Sequence, residues 1–273
     1  MSSKHFIKGV LTVILYPFSV LYGSIISIIL FLYEKGIYTQ SATPIFSIGI
    51  GNITVGGTGK TPHVEFLISK FRERYRIATL SRGYGRKTKG FLAVNNKLGP
   101  NEVGDEPWQF FLKFGSAIKV NVGEKRVEAS QQIHTLFPEV DLLLMDDVFQ
   151  HHAVRADFSI LLCDYTNPFF NDFPFPAGRL REFRSGAKRA DVIIVSKCPA
   201  FLSATEQKDF RTSLHKYAPE VAVFFSTFIY GSYTPVFQSS ISIIPTQWLL
   251  VTGIANPKPL QKHLQEQVVF STP

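Results

Sequence analysis

Short, almost uninterrupted apolar runs recur along the chain and are separated by stretches with helical periodicity. The apolar runs are Ile45–Ile50, Arg76–Leu80, Ala117–Val122, Leu142–Met145, Phe158–Cys163, Val192–Val195, Val221–Phe225 and Trp248–Thr252. Because most of them are continuously apolar rather than alternating, they predict strands buried on both faces of a parallel sheet. Apolar residues at helical spacing predict helices over His63–Tyr75, Lys125–Phe137 and Thr205–Tyr217. This alternation predicts a layered α/β fold.

The N-terminal region departs from this pattern, because Gly9–Tyr33 carries no charged residue at all. These 25 residues are long enough, as a helix, to cross a bilayer core. A cleaved signal peptide is disfavoured by the apolar length and by the lack of a clear small-x-small cleavage site. Pro17 leaves open a kinked hairpin or a helix lying in the membrane face. We expect an uncleaved anchor, spanning or interfacial, with everything after Lys35 in the cytoplasm.

Composition and charge narrow the class of protein and of partner. Of the 273 residues, 45% are hydrophobic and 18% are charged, which is typical of a globular protein. The net charge of +8 indicates an anionic partner, which can be nucleic acid, a phosphorylated substrate or an acidic lipid surface. The two cysteines, Cys163 and Cys198, form neither a metal-binding spacing nor a disulfide framework.

A glycine-rich segment follows the first apolar run and ends in Gly-Lys-Thr. Its residues are Thr54, Val55, Gly56, Gly57, Thr58, Gly59, Lys60 and Thr61. A strand, such a turn and a helix form a P-loop, in which backbone amides and the helix N-terminus attract polyphosphate, Lys60 can reach the β/γ-phosphates and Thr61 can bind Mg²⁺. The match is imperfect because Thr54 stands where the usual pattern has Gly, and a glycine-rich turn with a chance Lys-Thr is the alternative. The segment predicts binding of a nucleoside triphosphate.

Two acids end the apolar run Leu142–Met145. In P-loop proteins an acid at the end of such a strand holds Mg²⁺ or its water near the phosphates, and Asp146 and Asp147 fit that position. A solvated turn that happens to carry two acids is the alternative. The upstream P-loop favours the metal site.

A second acidic pair, Asp105-Glu106, lies in a Gly-Asp-Glu-Pro segment. Phosphoryl transfer to a hydroxyl benefits from a carboxylate that accepts the proton or orients the oxygen, and either residue can serve. The alternative is an ordinary helix N-terminus, where negative charge is favourable against the helix dipole.

Two basic clusters can bind anionic groups. Arg82 and Arg86 follow the run Arg76–Leu80 and are therefore expected at the carboxyl edge of the sheet, where ligands bind. Arg181 belongs to the second cluster, within residues 179–189. Arginine forks suit phosphate oxygens, whereas solvated basic loops are the alternative. Nucleic acid would use similar patches, but an N-terminal anchor makes anionic lipid the better partner, so no nucleic acid is expected.

Between the clusters, the Pro-rich loop 165–176 carries four phenylalanines. Packing in the core is one interpretation. The other is that Phe169 and Phe170 help the protein to meet the bilayer or an acyl chain, since such a loop is unusual for a soluble surface.

Six motifs in this order resemble the tetraacyldisaccharide 4′-kinase family, the lipid A kinases of Gram-negative bacteria. They are Gly51–Pro62, Ser81–Arg86 (Ser-Arg-Gly-Tyr-Gly-Arg), Val103–Pro107 (Val-Gly-Asp-Glu-Pro), Asp146–His151 (Asp-Asp-Val-Phe-Gln-His), Gly178–Glu182 and Val251–Pro257. The resemblance implies an enzyme that moves the γ-phosphate of ATP to the 4′-hydroxyl of a tetraacylated glucosamine disaccharide 1-phosphate, giving lipid IVA. It also implies the inner membrane as location, with the catalytic domain facing the cytoplasm.

The resemblance also implies roles for particular residues. Residues 54 to 61 would hold the ATP phosphates, Thr61 and Asp146 would bind Mg²⁺, and Asp147 would serve the phosphoryl site. Asp105 would activate the sugar hydroxyl, with Glu106 beside it. Arg82, Arg86, Arg181 and Glu182 would lie at the substrate.

The chain differs from the family pattern at two places. Val148 stands where the family usually has Gly, which is tolerable if the backbone does not need a positive φ. The family continues past the Val251–Pro257 motif to an Asp-His-His segment, whose histidine is thought to work with the acid at Asp105. This chain stops at Pro273, so we expect a truncated second domain.

Together these observations predict a P-loop NTPase-like α/β/α core with three parts: an N-terminal membrane helix over residues 1–35, a kinase core over 36–190 and a smaller α/β domain over 191–273. Two alternatives stay open. A GTPase switch is disfavoured because Ser196–Pro199 lacks the Asp of the guanine-reading Asn-Lys-x-Asp motif. The other is a nucleotide-binding membrane protein made inactive by truncation.

Overall fold

A computed structural model describes residues 3–231, 249–254 and 257–269, with side chains from residue 9 to 266 within these ranges. The helices are α1 (Ser3–Glu34), α2 (Lys60–Phe71), α3 (Pro100–Val103), α4 (Asp105–Phe114), α5 (Arg126–Leu136), α6 (Ala204–His215) and α7 (Lys258–Val269). The strands are β1 (Ser41–Ala42), β2 (Ser47–Gly51), β3 (Ile77–Ser81), β4 (Leu92–Ala93), β5 (Ile118–Val122), β6 (Leu142–Asp146), β7 (Val154–Arg155), β8 (Phe158–Asp164), β9 (Val192–Ser196) and β10 (Ala222–Phe225). Short 3₁₀ turns cover Gly115–Ala117, Phe169–Asn171 and Arg184–Arg189.

Eight strands form one sheet in the order β10-β9-β8-β2-β6-β3-β5-β4. All neighbours are parallel except β4, which is antiparallel to β5. Every residue of β2, β3 and β6 is buried, as their uninterrupted apolar sequences require. The predicted layered α/β fold is confirmed. A separate pair, β1 and β7, lies outside this sheet.

Helices cover both faces of the sheet. On one face α2 and α4 contribute Val64, Ile68, Phe110 and Phe114 to a cluster with Ile50 and other strand residues. On the opposite face Ala129 and Ile133 of α5 pack with Leu80 and Met145. A third cluster joins β8 to β10, α6 and the segment 169–190, with Phe169, Leu180 and Leu214 fully buried.

The central strand β2 lies between β6 and β8. The chain runs from β2 to β3 on one side of β2, and after β6 it crosses to β8 on the other side. In open parallel sheets such a switch point creates a crevice at the carboxyl ends of the strands, and ligands bind there. The segments after β2 and β6 both open into this crevice.

The chain divides into two compact units, residues 1–227 and 228–273. The sheet continues past residue 190, because β9 and β10 pair in register with β8 and with each other. The limits expected from the sequence, 36–190 and 191–273, therefore differ from this division: the Pro/Gly/Arg-rich loop 166–190 joins strands of one sheet.

The described part of the second unit contains α7. The strand predicted over Trp248–Thr252 is wrong for Leu249–Thr252, which have no strand pairing, and Trp248 lies outside the described residues. Ala255 and Asn256 of the motif Val251–Pro257 also lie outside them.

Candidate active site

Residues 54–61 form the turn between β2 and α2, as the P-loop prediction requires. Gly59 precedes the helix with φ of 87°, and Gly56 has φ of 124°, so both positions use backbone conformations that favour glycine. Thr54 forms an isolated β-bridge with Leu180. It is not among the described residues with positive φ, so its backbone does not need the glycine of the usual pattern. The buried Asn52 side chain donates to Thr58 Oγ1 at 2.9 Å and so connects the two ends of the loop.

A charged group faces the P-loop from the end of β6. Asp147 Oδ1 lies 3.5 Å from Lys60 Nζ and 3.1 Å from an Arg181 nitrogen. Burial acts to raise the pKa of Asp147, but the two cations together hold its pKa below the usual range. Asp147 has φ of 48°, a strained conformation for a non-glycine residue. Val148 is not among the described residues with positive φ, so the absence of the family's glycine there is tolerated.

Asp146, the last residue of β6, is 2% exposed, and its Oδ1 atom has no hydrogen-bond partner. Burial, followed by the negative charge of Glu106, raises the pKa of Asp146 to about 7, although Lys60 opposes the shift. A buried carboxylate oxygen without a partner is costly unless a ligand satisfies it. This oxygen is a candidate ligand for a cation.

Thr61 lies in the first turn of α2, and its hydroxyl donates to Glu106 Oε1 at 3.4 Å. In the described residues, no group of three His, Cys, Asp or Glu side chains is placed to hold a metal ion. Mg²⁺ is commonly held by one or two protein oxygens together with phosphate and water. The oxygens of Thr61 and Asp146 fit such a site.

Asp105 and Glu106 are the first two residues of α4. Asp105 is exposed, whereas Glu106 is half-buried and points toward Thr61. The preceding Gly104 has φ of 93°, and a Cβ there would lie 3.0 Å from the Tyr84 carbonyl oxygen. This close approach sets the loop after β3 against the start of α4.

The two predicted arginines of that loop differ in their surroundings. Arg82 is exposed, and its charge contributes to lowering the pKa of His151 to about 4, after burial and the charge of Arg126. The Arg86 side chain is 2% exposed and donates to Glu124 Oε1 at 2.6 Å and to the Gly90 carbonyl at 2.5 Å. Its contacts are those of a structural ion pair and do not bring it to the P-loop.

Arg181 and Glu182 also separate. Arg181 reaches Asp147, and Gln150 Oε1 accepts from the same Arg181 nitrogen at 2.7 Å. Glu182 is 1% exposed and accepts from both terminal nitrogens of Arg189, at 2.6 and 3.0 Å. Gln150 Nε2 also donates to Glu182 Oε1 at 3.3 Å, so Glu182 touches the site through Gln150.

Two participants were not singled out from the sequence. Gln150 holds Arg181, as just described. Arg126, at the start of α5, is 2% exposed and donates to the carbonyl of Asp146 at 3.4 Å and to that of Gly123. Burial lowers the pKa of Arg126 to about 10, while Asp146 and Asp147 oppose that shift. The position of Gln150 inside the Asp146–His151 motif was a usable signal, whereas nothing in the local sequence marks Arg126.

The aromatic loop is used in two ways. Phe169 is 1% exposed in the core, and Phe170 packs on the Phe210 ring with centroids 5.0 Å apart. The hypothesis that the Phe169 ring meets the bilayer is therefore wrong, whereas for the half-buried Phe170 it stays a prediction. Phe173 and Phe175 are more exposed and pack edge-on against Tyr16 and Tyr22 of α1, respectively.

Helix α1 is attached to the segment that carries Arg181. Tyr22 Oη donates to the Arg181 carbonyl at 3.0 Å, and the fully buried Ser19 hydroxyl accepts from Ala177 N at 2.8 Å. A Cβ on Gly23 would lie 2.5 Å from the Phe183 ring, so the helix approaches closely. Residues 9–34 of α1 are long and apolar enough, by length and composition, to cross a membrane.

A mainly parallel sheet with a P-loop after its central strand defines a P-loop nucleotide-binding protein. Residues 11–272 match the family described as tetraacyldisaccharide-1-P 4′-kinase. The chain belongs to this family, and the family and fold class expected from the sequence are confirmed.

Individual relatives agree with this assignment. A tetraacyldisaccharide 4′-kinase from Flavobacterium psychrophilum is 44% identical over 257 residues, which cover 93% of this chain and 75% of the relative. One from Bacteroides thetaiotaomicron is 38% identical over 276 residues, covering 96% of this chain and 72% of the relative. The crystal structure of the "apo" form of LpxK from Aquifex aeolicus in complex with ATP has a TM-score of 0.63 at 28% identity, covering 82% of this chain and 85% of that one.

Proposed function

We propose that this chain transfers the γ-phosphate of ATP to the 4′-hydroxyl of a tetraacylated glucosamine disaccharide 1-phosphate, which makes lipid IVA. The observation that carries the proposal is the facing of the P-loop by Asp146 and Asp147, with Lys60 3.5 Å from Asp147. Family membership supplies the acceptor. A guanine-nucleotide switch has no comparable support.

The P-loop, residues 54–61, binds the triphosphate through the backbone N–H groups of the turn and of the first turn of α2. Lys60 contacts the transferred phosphate. Before nucleotide binds, Asp147 holds both Lys60 and Arg181 in the crevice, so two cations are already in place for the charge that develops on the γ-phosphate. Arg181 is thereby assigned to the phosphoryl site.

Thr61 and Asp146 would hold Mg²⁺, in keeping with the unpartnered Asp146 oxygen. A bound ion would supply positive charge beside the phosphates. Burial raises the pKa of Asp146 to about 7, and its carboxylate would have to be ionised to hold the ion. Glu106 accepts a hydrogen bond from the Thr61 hydroxyl and so orients that hydroxyl.

Asp105 is assigned as the general base. The 4′-oxygen of the acceptor forms a bond to the γ-phosphorus, the bond to the β,γ-bridging oxygen breaks, and ADP leaves. The proton of the 4′-hydroxyl passes to the Asp105 carboxylate and then to solvent. Its exposed position at the start of α4 makes it accessible to a large acceptor.

The acceptor is anionic, and Arg82 is the exposed arginine at this edge that we assign to it. Arg86 and Glu182, also expected at the substrate, have contacts that favour supporting roles, through Glu124 and Arg189 respectively. A substrate contact by either would require these ion pairs to open.

We further infer that α1 associates with the membrane and that the kinase works at the cytoplasmic face of the inner membrane. Large apolar side chains on α1 are exposed: Val10, Leu11, Val13, Ile14, Tyr16, Phe18, Val20, Leu21, Ile25, Ile28 and Phe31. Burying such a surface in acyl chains is favourable. A cavity of about 300 Å³ between α1 and the loop 173–185, lined by Tyr16, Val20, Phe173 and Phe183 among others, offers apolar surface to an acyl chain.

A transfer assay with γ-labelled ATP and the acceptor in mixed micelles tests the proposal. Asp105→Ala should lower kcat by at least about tenfold, near the low end of what a general base contributes. Asp209→Ala, which removes an exposed acid of α6, should leave the rate unchanged. Wild-type rates in Asp105→Ala would remove that assignment. Absence of transfer by the wild-type protein, or preference for GTP over ATP, would overturn the proposed function.

A further inference from the structure

Two carbonyl oxygens of the P-loop accept hydrogen bonds from the last residue of β9 and from the residue that follows it. The Ser196 hydroxyl donates to Thr58 O at 2.8 Å, and the Lys197 ammonium donates to Gly57 O. Ser196 is completely buried, and the Lys197 side chain is 30% exposed. The contacts join residues far apart in sequence, at the crevice where the phosphates would bind.

The Lys197 ammonium is itself fixed in position. It also donates to Asp164 Oδ2 at 2.6 Å, and Asp164 Oδ1 accepts from the amide and hydroxyl of Thr166 at 2.8 and 2.7 Å. Burial acts to raise the pKa of Asp164, but these donors hold its pKa below the usual range. Asp164 and Ser196 are register partners at the ends of β8 and β9. Because Lys197 directly follows Ser196, the sheet holds the Lys197 backbone close to Asp164.

The backbone of Lys197 carries strain that this arrangement accounts for. Its φ is 59°, in the left-handed region that a lysine seldom adopts, and Asp147 is the other described non-glycine residue with a positive φ. Such conformations cost free energy and persist where surrounding contacts enforce them, commonly beside functional sites. Here the positive φ of Lys197 directs its side chain back toward the P-loop, while Ser196 remains paired with Asp164 in the sheet.

Because the peptide unit is planar, hydrogen bonds to these carbonyl oxygens also set the direction of the N–H groups in the same peptide units. In a trans peptide the C=O and the following N–H point in opposite directions in one plane. A donor held on Thr58 O therefore fixes the direction of the Gly59 N–H. One held on Gly57 O fixes the Thr58 peptide, whose N–H donates to Gly56 O at 3.1 Å and closes the turn. The Gly59 N–H is among the groups that a P-loop directs at phosphate oxygens.

We propose that Lys197, clamped by Asp164 and assisted by Ser196, is a positioning residue that presets the P-loop for the triphosphate. This inference rests on the proposed function of the same site but concerns nucleotide affinity, which is measurable without the acceptor. Lys197 contacts the loop backbone and does not itself react. The pair is electrically neutral, so its effect comes from geometry rather than from added positive charge.

The test compares Lys197→Met with Lys208→Met by calorimetric titration of ATP and Mg²⁺. Methionine keeps the length of the side chain and removes the ammonium, and Lys208 is an exposed lysine of α6. Lys197→Met should weaken ATP binding by at least about tenfold, as expected for loss of a charge-assisted hydrogen bond. The KM for ATP should rise by a similar factor while the KM for the acceptor stays constant. Lys208→Met should change neither, and Lys197→Arg should recover part of the affinity.

Inorganic tripolyphosphate separates a loop effect from a nucleobase effect. If Lys197 acts through the P-loop, the substitution should weaken inhibition by tripolyphosphate as much as it weakens ATP binding. Equal ATP affinity in Lys197→Met and the wild type would overturn the inference. So would a loss restricted to ATP with tripolyphosphate unaffected, because the contact would then be to the base. Failure of the wild-type protein to bind ATP would instead overturn the proposed function.

Discussion

Asp146→Asn should make the metal-free protein more stable at alkaline pH while removing kinase activity. The Asp146 carboxylate is buried at the end of β6, one of its oxygens has no hydrogen-bond partner, and its pKa is raised to about 7. Burial is the main cause, and the charge of Glu106 adds to it. Asparagine has the same shape and no charge, so it removes the cost of ionisation at this position.

The magnitude follows from the pKa shift. Each pKa unit corresponds to about 1.4 kcal/mol, so a rise from 3.8 to about 7 means that the ionised carboxylate costs about 4 kcal/mol of unfolding free energy. The pKa of Asp146 is higher in the folded than in the unfolded protein. The wild-type protein is therefore free of this cost below pH 3.8, and it bears the full cost once the pH has risen through 7. At pH 5 the loss is only about 2 kcal/mol. The new amide hydrogens, left without partners, cost about 1–3 kcal/mol at every pH.

The net expectation is a gain of about 1–3 kcal/mol at pH 8 and about none at pH 5. Thermal unfolding in detergent with EDTA, between pH 5 and pH 8, measures it, and the gain at pH 8 corresponds to roughly 5 °C in Tm. Asp209→Asn, on the exposed face of α6, serves as the charge-matched control and should show no such trend. Mg²⁺ with ATP should stabilise the wild-type protein and fail to stabilise Asp146→Asn.

The result that would refute this reasoning is a Tm difference between Asp146→Asn and the wild type that is the same at pH 5 and pH 8. A lower Tm of the variant at pH 8 would also refute it. Either outcome would mean that the carboxylate is solvated or paired in the free protein.

Three further outcomes are expected. Lys60→Met should lower kcat/KM for ATP by at least about a hundredfold in steady-state kinetics, since it removes the cation that faces the phosphates; wild-type kinetics would contradict the P-loop assignment. Phe169→Ala should lower the unfolding free energy by about 3–5 kcal/mol, whereas Phe175→Ala, at a site that is 57% exposed, should change it far less; equal losses in chemical denaturation would contradict the packing described for the aromatic loop. Glu182→Ala should lower the unfolding free energy by about 1–3 kcal/mol, because it removes the buried carboxylate that accepts two hydrogen bonds from the half-buried Arg189. An unchanged denaturation midpoint would show that the ion pair is not needed for folding.

The strands and the P-loop could be predicted because their physical requirements are local. A strand buried on both faces of a parallel sheet has to be apolar throughout, so the runs that became β2, β3 and β6 stand out in the sequence. The turn after β2 needs glycine at positions 56 and 59, where φ is positive. Asp146 could be predicted because it directly follows the apolar run Leu142–Met145.

The remaining features depend on what lies opposite each side chain in space. Arg86 and Arg82 look alike in the sequence, yet only Arg86 meets Glu124 and is buried by it. The rings of Phe169 and Phe173 are four residues apart, and one packs in the core while the other contacts α1. The apolar run Trp248–Thr252 matched the strand pattern equally well, but Leu249–Thr252 have no strand partner. Local periodicity contains no information about such partners.

The Ala177 N–H donates to the Ser19 hydroxyl and the Tyr22 hydroxyl donates to the Arg181 carbonyl, and these two hydrogen bonds have a practical consequence for work with the purified protein. Deleting α1 would give a version that needs no detergent. It would also remove the hydrogen-bond partners of the segment that positions Arg181 against Asp147. In such a shortened protein Arg181 would be less firmly positioned, and turnover would fall for that reason. The low turnover would then be wrongly attributed to the missing membrane contact. Keeping residues 16–23, or replacing the outward apolar side chains of the helix with polar ones, would separate the two effects.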